Sequence, residues 1–159
     1  MLRTCVFVLL FIAAGCTHAP SEATRTTRHP WTVPDTLRVA MVSNPKTLNP
    51  ILSTQTFEAM AEAFVFDPLV ATDPEGRDHP VLASVVPTLE NGGISKDGLT
   101  ITYHLRHNVR WQDNVPFTSR DVRFSISAIM NPNTAVSSRH GYDDIANVAT
   151  PDAYTVVLH

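Results

Sequence analysis

Residues 97–125 read DGLTITYHLRHNVRWQDNVPFTSRDVRFS. Lys96-Asp97-Gly98 opens the stretch with a turn signal. Leu99, Ile101, Tyr103 and Leu105 then alternate with Thr100, Thr102 and His104. That period of two predicts a half-buried strand. Asp113-Asn114 marks a second turn, and asparagine tolerates the left-handed backbone such a turn needs. Thr118-Ser119-Arg120-Asp121 places a hydroxyl N-cap three residues before an acid, a short-armed capping box. Val122, Ile126, Ile129 and Met130 follow as one apolar stripe, and Asn131-Pro132-Asn133 ends the helix.

Upstream, Leu37, Val39 and Met41 alternate with Arg38, Ala40 and Val42, which predicts a first strand over residues 37–42. Asn44-Pro45 and Asn49-Pro50 bracket a loop. Ser53 or Thr54 can cap a helix running to about Phe66, with Phe57, Met60, Ala61, Phe64 and Val65 as its apolar stripe. Asp67-Pro68 stops that helix. Residues 69–71 read as a short strand, and Asp73-Pro74-Glu75-Gly76 as a turn. Residues 80–87 are an apolar loop or a single helical turn, and Asn91-Gly92-Gly93 excludes regular structure. Downstream, residues 137–144 are a polar loop. Residues 145–149 pair with a last strand over 154–159. That strand reaches the final residue, so the chain reads as the first portion of a longer protein.

The 159 residues suit one domain. With 43% hydrophobic and 17% charged residues the composition is globular. The formal net charge is −3 and no basic face is evident, which argues against nucleic acid as a partner. Twelve prolines favour a loop-rich chain. At the N-terminus, Met1-Leu2-Arg3 is a short positive region. The apolar run over 4–14 is too short to span a bilayer, and Ala14-Gly15-Cys16 follows it. Residues 1–15 therefore read as a lipoprotein signal peptide with Cys16 as the lipidated residue, although Ala13 stands where such signals usually carry leucine. An ordinary secretory signal is the other reading. Cys5 lies in the segment removed, so no disulfide is expected. Residues 16–35, rich in Thr, Ser, Pro and Ala without an apolar period, read as a flexible tether. Residues 36–159 are the folded part.

Residues that invite a chemical reading have plainer ones. His104 and His107 are three apart on a strand and face opposite sides, so no metal pair is expected. Asp113 and Asp121 fall in a turn and a first helical turn, where acids satisfy backbone N–H groups. No serine has a nucleophile-elbow context and no glycine loop suits phosphate. Tyr103 and Trp111 read as packing aromatics, and Arg106 as the partner of an acid across the sheet. No enzyme activity, catalytic residue, metal or cofactor is expected.

Several short motifs occur in order: Pro45-Lys46-Thr47-Leu48-Asn49-Pro50, Asp67-Pro68-Leu69-Val70, Pro80-Val81-Leu82-Ala83, Asp97-Gly98-Leu99-Thr100, Tyr103-His104-Leu105-Arg106, Val109-Arg110-Trp111-Gln112-Asp113, Pro116-Phe117-Thr118, Asp121-Val122 and Phe124-Ser125. Together they resemble the family 5 extracytoplasmic solute-binding proteins, the peptide receptors of ABC importers. Asn49 replaces that family's usual Asp, Asn114 its usual Gly, and Val85-Val86-Pro87 stands where many members have Trp. The resemblance implies an α/β fold of the periplasmic-binding-protein class II type. This chain would supply a partial first lobe, a mixed β-sheet with flanking helices. It implies an extracytoplasmic, lipid-anchored, monomeric receptor that captures a peptide and delivers it to ABC permease subunits. The same fold with a nickel chelate, opine or sugar as cargo is the alternative, as is a truncated product without transport activity. By the same resemblance, Thr54, Gln55 and Thr56 would face the ligand backbone. On their own residues, Ser53 to Thr56 equally suit a helix cap.

Overall fold

The structure is a computed structural model and describes residues 32–159. The signal peptide, Cys16 and most of the tether lie outside the described residues. Residues 32–39 belong to one compact unit and carry no helix or strand. Residues 40–159 form the other. Its elements run α1 (Thr56–Glu62), β1 (Val70–Thr72), β2 (Asp78–Pro80), β3 (Ile101–His104), α2 (Ser119–Met130), β4 (Val148–Asp152) and β5 (Thr155–Leu158).

β1 and β2 are an antiparallel hairpin with Ala71 opposite His79. Its turn uses Gly76 at φ +80°, a left-handed position that suits a residue without Cβ. The Asp73 carboxylate accepts the Arg77 N–H at 2.8 Å and closes it. The other sheet has the order β3-β5-β4, with Tyr103 opposite Val156 and Ala149 opposite Val157. The resemblance implies a mixed sheet for the lobe; every ladder among the described residues is antiparallel.

The segment after β2 joins the hairpin to this sheet. Val81 and Ala83 donate their N–H groups to the Leu69 carbonyl at 3.1 and 3.0 Å. On its other side, Ser84 donates to the His104 carbonyl at 2.7 Å, and Arg106 N–H donates to Leu82 at 3.0 Å. The guanidinium of Arg106 reaches the carbonyls of Ala83 and Pro80, both at 3.3 Å. It thus serves main-chain acceptors, where an acid partner was expected.

α2 starts as expected. Thr118 is its N-cap, and the Asp121 carboxylate accepts the Thr118 N–H at 2.7 Å and its hydroxyl at 3.1 Å. Ser119, almost fully buried, ties this helix start to the β4–β5 turn through the carbonyls of Asp152 and Ala153. Val122 and Ile126 then meet Leu105, Phe117 and Val156 in the core, with Tyr103, Val148 and Leu158 packed around them. Ile129 is buried beside the same stripe, whereas Met130 is 37% exposed. The Asn114 turn forms at φ +70°, with its N–H bonded to the Trp111 carbonyl at 2.9 Å.

Three expectations are corrected. Residues 37–42 form no strand: nothing among the described residues pairs with them, and Leu37, Val39 and Val42 are exposed. Alternation marks a chain able to pair, but a ladder needs a neighbour. α1 is shorter than residues 53–66 and lacks an apolar buried face; Met60 and Phe64 are exposed, and Glu58 and Glu62 are buried instead. After Glu62 the bonds tighten, Phe64 N–H reaching Ala61 at 3.2 Å, a typical unwinding of a last turn. Leu99, expected on the inward face of β3, is exposed, because the Ser95–Gly98 turn carries it past the sheet edge. β2 answers to no expected element; only its last residue, Pro80, falls in the loop read over residues 80–87.

Leu105 is 1% exposed, so Leu105→Ala should cost about 3 kcal/mol in urea unfolding. Leu99→Ala, on the same alternating run, should change stability by no more than about 0.5 kcal/mol. Equal losses at the two positions would contradict the packing described.

A candidate ligand-facing segment and its carboxylate support

The loop over residues 45–50 is a self-bonded turn. The Thr47 hydroxyl accepts the Asn49 N–H at 3.0 Å, and Asn49 Oδ1 accepts the Ile51 N–H at 3.2 Å. The Asn49 carbonyl also accepts the N–H groups of Leu52 and Ser53 at 3.0 and 3.1 Å. Residue 49 contributes only its main-chain N–H, its carbonyl and Oδ1 to these bonds, all of which aspartate also has, which explains why Asn49 can replace the acid without loss of the turn. Ser137 N–H donates to the Ile51 carbonyl at 3.2 Å and sets the loop against the segment after α2.

The chain then passes through Thr54, Gln55 and Thr56, all three exposed. Gln55 is extended, at φ −115° and ψ 138°, and is the N-cap of α1 without a side-chain cap. Its side-chain amide donates to the Thr54 hydroxyl at 3.3 Å. No side chain of residues 53–56 caps α1, although Gln55 is its N-cap by position. The Ser53 hydroxyl donates to Glu62 Oε2 at 3.1 Å, and Thr54's serves Gln55.

Glu58 does the work a cap would do. It is 2% exposed. Oε1 accepts the Lys46 N–H at 2.8 Å, and Oε2 accepts the Thr54 N–H at 3.2 Å. One carboxylate thus holds the start of the 45–50 turn and the start of the 54–56 segment together. It stands three residues after the N-cap, where an acid reaches back over the first helical turn. The Lys46 N–H, helped by those of Thr54, Gln55 and Thr47, holds its pKa below the ordinary value of 4.5 against the opposing effect of desolvation. The Thr54 carbonyl takes no donor among the described residues. Glu58 and Glu62 were missed in the sequence. Two acids four apart in a helix otherwise patterned with apolar residues were the available signal.

The other residues considered are structural. The Asp113 carboxylate accepts Val115 N–H at 3.0 Å within its turn, and Asp121 is occupied by its cap. His107 stacks on Tyr154 with ring centroids 4.0 Å apart, and His104 Nδ1 lies 3.5 Å from the Thr155 hydroxyl. Both histidines border one open depression with Asp152, because the chain turns after β3. No group of three such side chains among the described residues is arranged to hold a metal ion. Trp111 meets Phe117 edge-on at 5.9 Å, and burial pushes the Tyr103 hydroxyl pKa up. None of these joins residues 54–56.

Residues 66–159 match the family model of bacterial extracellular solute-binding proteins, family 5 (middle region). The chain belongs to this family. Among the curated relatives is a Brucella ovis protein named for ABC-transporter peptide binding. It is 34% identical over 110 residues, which are 69% of this chain and 19% of that protein. The chain spans about a fifth of the length of the curated relatives it matches. Among solved structures, AgaA from A. tumefaciens R10 in complex with agropinic acid is 29% identical with a TM-score of 0.65. The match covers 72% of this chain and 22% of AgaA. Haemophilus influenzae OppA in complex with RPPGFSPFR is 25% identical with a TM-score of 0.63, covering 72% of this chain and 25% of OppA. The expected α/β fold of family 5 type is thereby established. Among the described residues, no helix is long and apolar enough to cross a membrane.

Glu58→Gln replaces one acceptor oxygen by an amide that cannot accept, so it should lower the melting temperature at pH 7. Because the folded carboxyl titrates below 4.5, its contribution is complete above that value and fades as pH falls through the folded pKa. Thermal unfolding of both proteins from pH 7 to pH 3 should show the gap closing at the acid end. A gap independent of pH would exclude the carboxylate as its source.

Proposed function

We propose that this chain is the beginning of the substrate-binding component of an ABC-type peptide importer, capturing peptides outside the cytoplasmic membrane for a permease. The observation that carries the reading is the family match over residues 66–159. Support for peptide as cargo comes from the relative named for peptide binding and from OppA in its complex with RPPGFSPFR. In this reading Thr54, Gln55 and Thr56 meet the ligand main chain. The Thr54 carbonyl is open to a peptide N–H, and Glu58 keeps the segment in place. Contacts of this kind ignore side-chain identity and suit a receptor for many peptides. A ligand bridging two lobes would shift the receptor to a closed form recognised by the permease. Residues 36–159 would be the first part of lobe I, and the receptor would act as a monomer.

The reading extends to the N-terminus. Residues 1–15 would be removed as a signal peptide, Cys16 acylated, and residues 16–35 left as the tether. More than one acyl chain on Cys16 would anchor the receptor stably, which a single chain does not achieve.

A second reading, an opine receptor, is favoured by AgaA in its complex with agropinic acid, at 29% identity. Uptake assays separate the two. Cells lacking the protein should lose uptake of a labelled peptide pool. Loss of agropinic acid uptake with peptide uptake intact would favour the second reading, and loss of neither would overturn both. For the anchor, mass spectrometry of the protein from membranes should show an acylated Cys16 as the first residue. An unmodified start further along the chain would refute it.

A further inference from the structure

Asn91-Gly92 is the chain's single Asn-Gly pair. Every other asparagine precedes proline, valine or threonine. Proline has no N–H, and a β-branched residue crowds the main chain beside it. Only after Asn91 is the next main-chain nitrogen both protonated and unhindered, so only there can it reach the neighbouring side-chain amide. Asn91 and Gly92 are both exposed. Gly92, at φ +72°, has nothing within 4 Å of where a Cβ would stand.

The folded loop holds both reacting groups. Asn91 Oδ1 accepts the Thr88 and Gly93 N–H groups, each at 2.9 Å, and Nδ2 donates to the Val86 carbonyl at 2.8 Å. The Gly92 N–H donates to the Leu89 carbonyl at 3.3 Å, and the Asn91 N–H to the Thr88 hydroxyl at 3.2 Å. A Cβ added at Gly93 would come within 2.7 Å of Pro87 Cα, so the segment has no room to shift that way. The Gly93 carbonyl accepts the Thr102 N–H at 2.7 Å and Ile94 bridges Ile101, which ties the loop to β3.

We propose that Asn91 is a modification site, where the side-chain amide is lost to attack by the Gly92 nitrogen, and that opening of the 86–93 loop controls the rate. The Gly92 nitrogen bonds to Asn91 Cγ as the Cγ–Nδ2 bond breaks. The Gly92 proton passes through water to the leaving nitrogen, which departs as ammonia. Water then opens the cyclic imide at either carbonyl, giving aspartate or isoaspartate with no oxidant or reductant. Both products lack the donor to Val86, and isoaspartate adds a main-chain atom between residues 91 and 92. The displacement falls on the Gly93–Thr102 bond at the edge of β3.

Incubation of the 159-residue chain at pH 8, folded and in urea, followed by peptide mapping with mass spectrometry, tests this. The mass gain of amide-to-acid conversion should appear at Asn91 ahead of every other asparagine in both samples. It should be about tenfold slower in the folded protein, the scale of a pair of net hydrogen bonds that must open first. Thr88→Ala removes the hydroxyl that accepts the Asn91 N–H. It should speed the folded rate about threefold and leave the rate in urea unchanged. Conversion first at another asparagine, or equally fast in folded and unfolded protein, would overturn the proposal. So would a folded rate unmoved by Thr88→Ala. The wild-type comparison decides alone if Thr88→Ala does not fold.

Discussion

Leu105 is held from both sides, and the fold rests on that arrangement. Its N–H donates to the Tyr154 carbonyl at 2.8 Å, and it bridges Ala83 on its other edge. The side chain between these bonds enters the core with Val156, Val122, Ile126 and Phe117. A residue in this position couples two things that usually trade off. Its backbone polar groups are satisfied, and its apolar surface is removed from water. Without the Ala83 bridge, the β1–β2 hairpin would have only short, loosely tethered strands, too few to be stable alone. Without the Tyr154 bond, β5 would lose register just where Ser119 docks α2 onto the β4–β5 turn.

Around this centre, the acids act chiefly as acceptors for main-chain N–H groups. Asp73, Asp97, Asp113, Asp121, Asp152 and Glu58 each close a turn or a helix start in this way. The same bonds hold the carboxyls of Asp73, Asp152 and Glu58 below their usual range, and at Asp97 the Ser95 hydroxyl does most of this, helped by the Leu99 N–H. A chain with many prolines and short elements leaves much backbone outside ladders, and these carboxylates satisfy part of it. Perturbed acids therefore mark architecture here rather than reactive chemistry. Glu62 differs in that one of its oxygens is buried without a donor among the described residues.

Much of the 97–125 stretch was legible because its signals are local. A left-handed Asn114, the Thr118–Asp121 cap and the Val122–Ile126–Ile129 stripe each depend on residues a few positions apart. The first helix was misread for the opposite reason. An apolar stripe implies a core-facing side only if an apolar partner lies opposite, and α1 instead meets main-chain N–H groups and a hydroxyl of the 46–54 loop. Its inward positions went to Glu58 and Glu62, which bond to that loop. Residues 37–42 have the right alternation but no neighbouring strand among the described residues. β2 was hidden because Asp78-His79-Pro80 has no alternation, and its strand character comes from pairing with β1. The placing of Thr54, Gln55 and Thr56 followed from family resemblance, whereas the carboxylate that fixes them required knowledge of what lies across from α1.

The wide separation of β3 from β5 along the chain bears on how the sheet assembles. His104 pairs with Thr155, whereas Asp152 and Thr155 of β4 and β5 are joined by a tight turn. Loop closure costs more entropy as the intervening chain lengthens. β4 and β5 can meet as a local hairpin, and α2 can wind from its own cap. β3 gains its main ladder only after some fifty residues have been drawn into place, and such non-local pairing slows folding. Leu105 comes at the end of β3, so the residue that joins the two sheets reaches its position only when the slowest pairing is made.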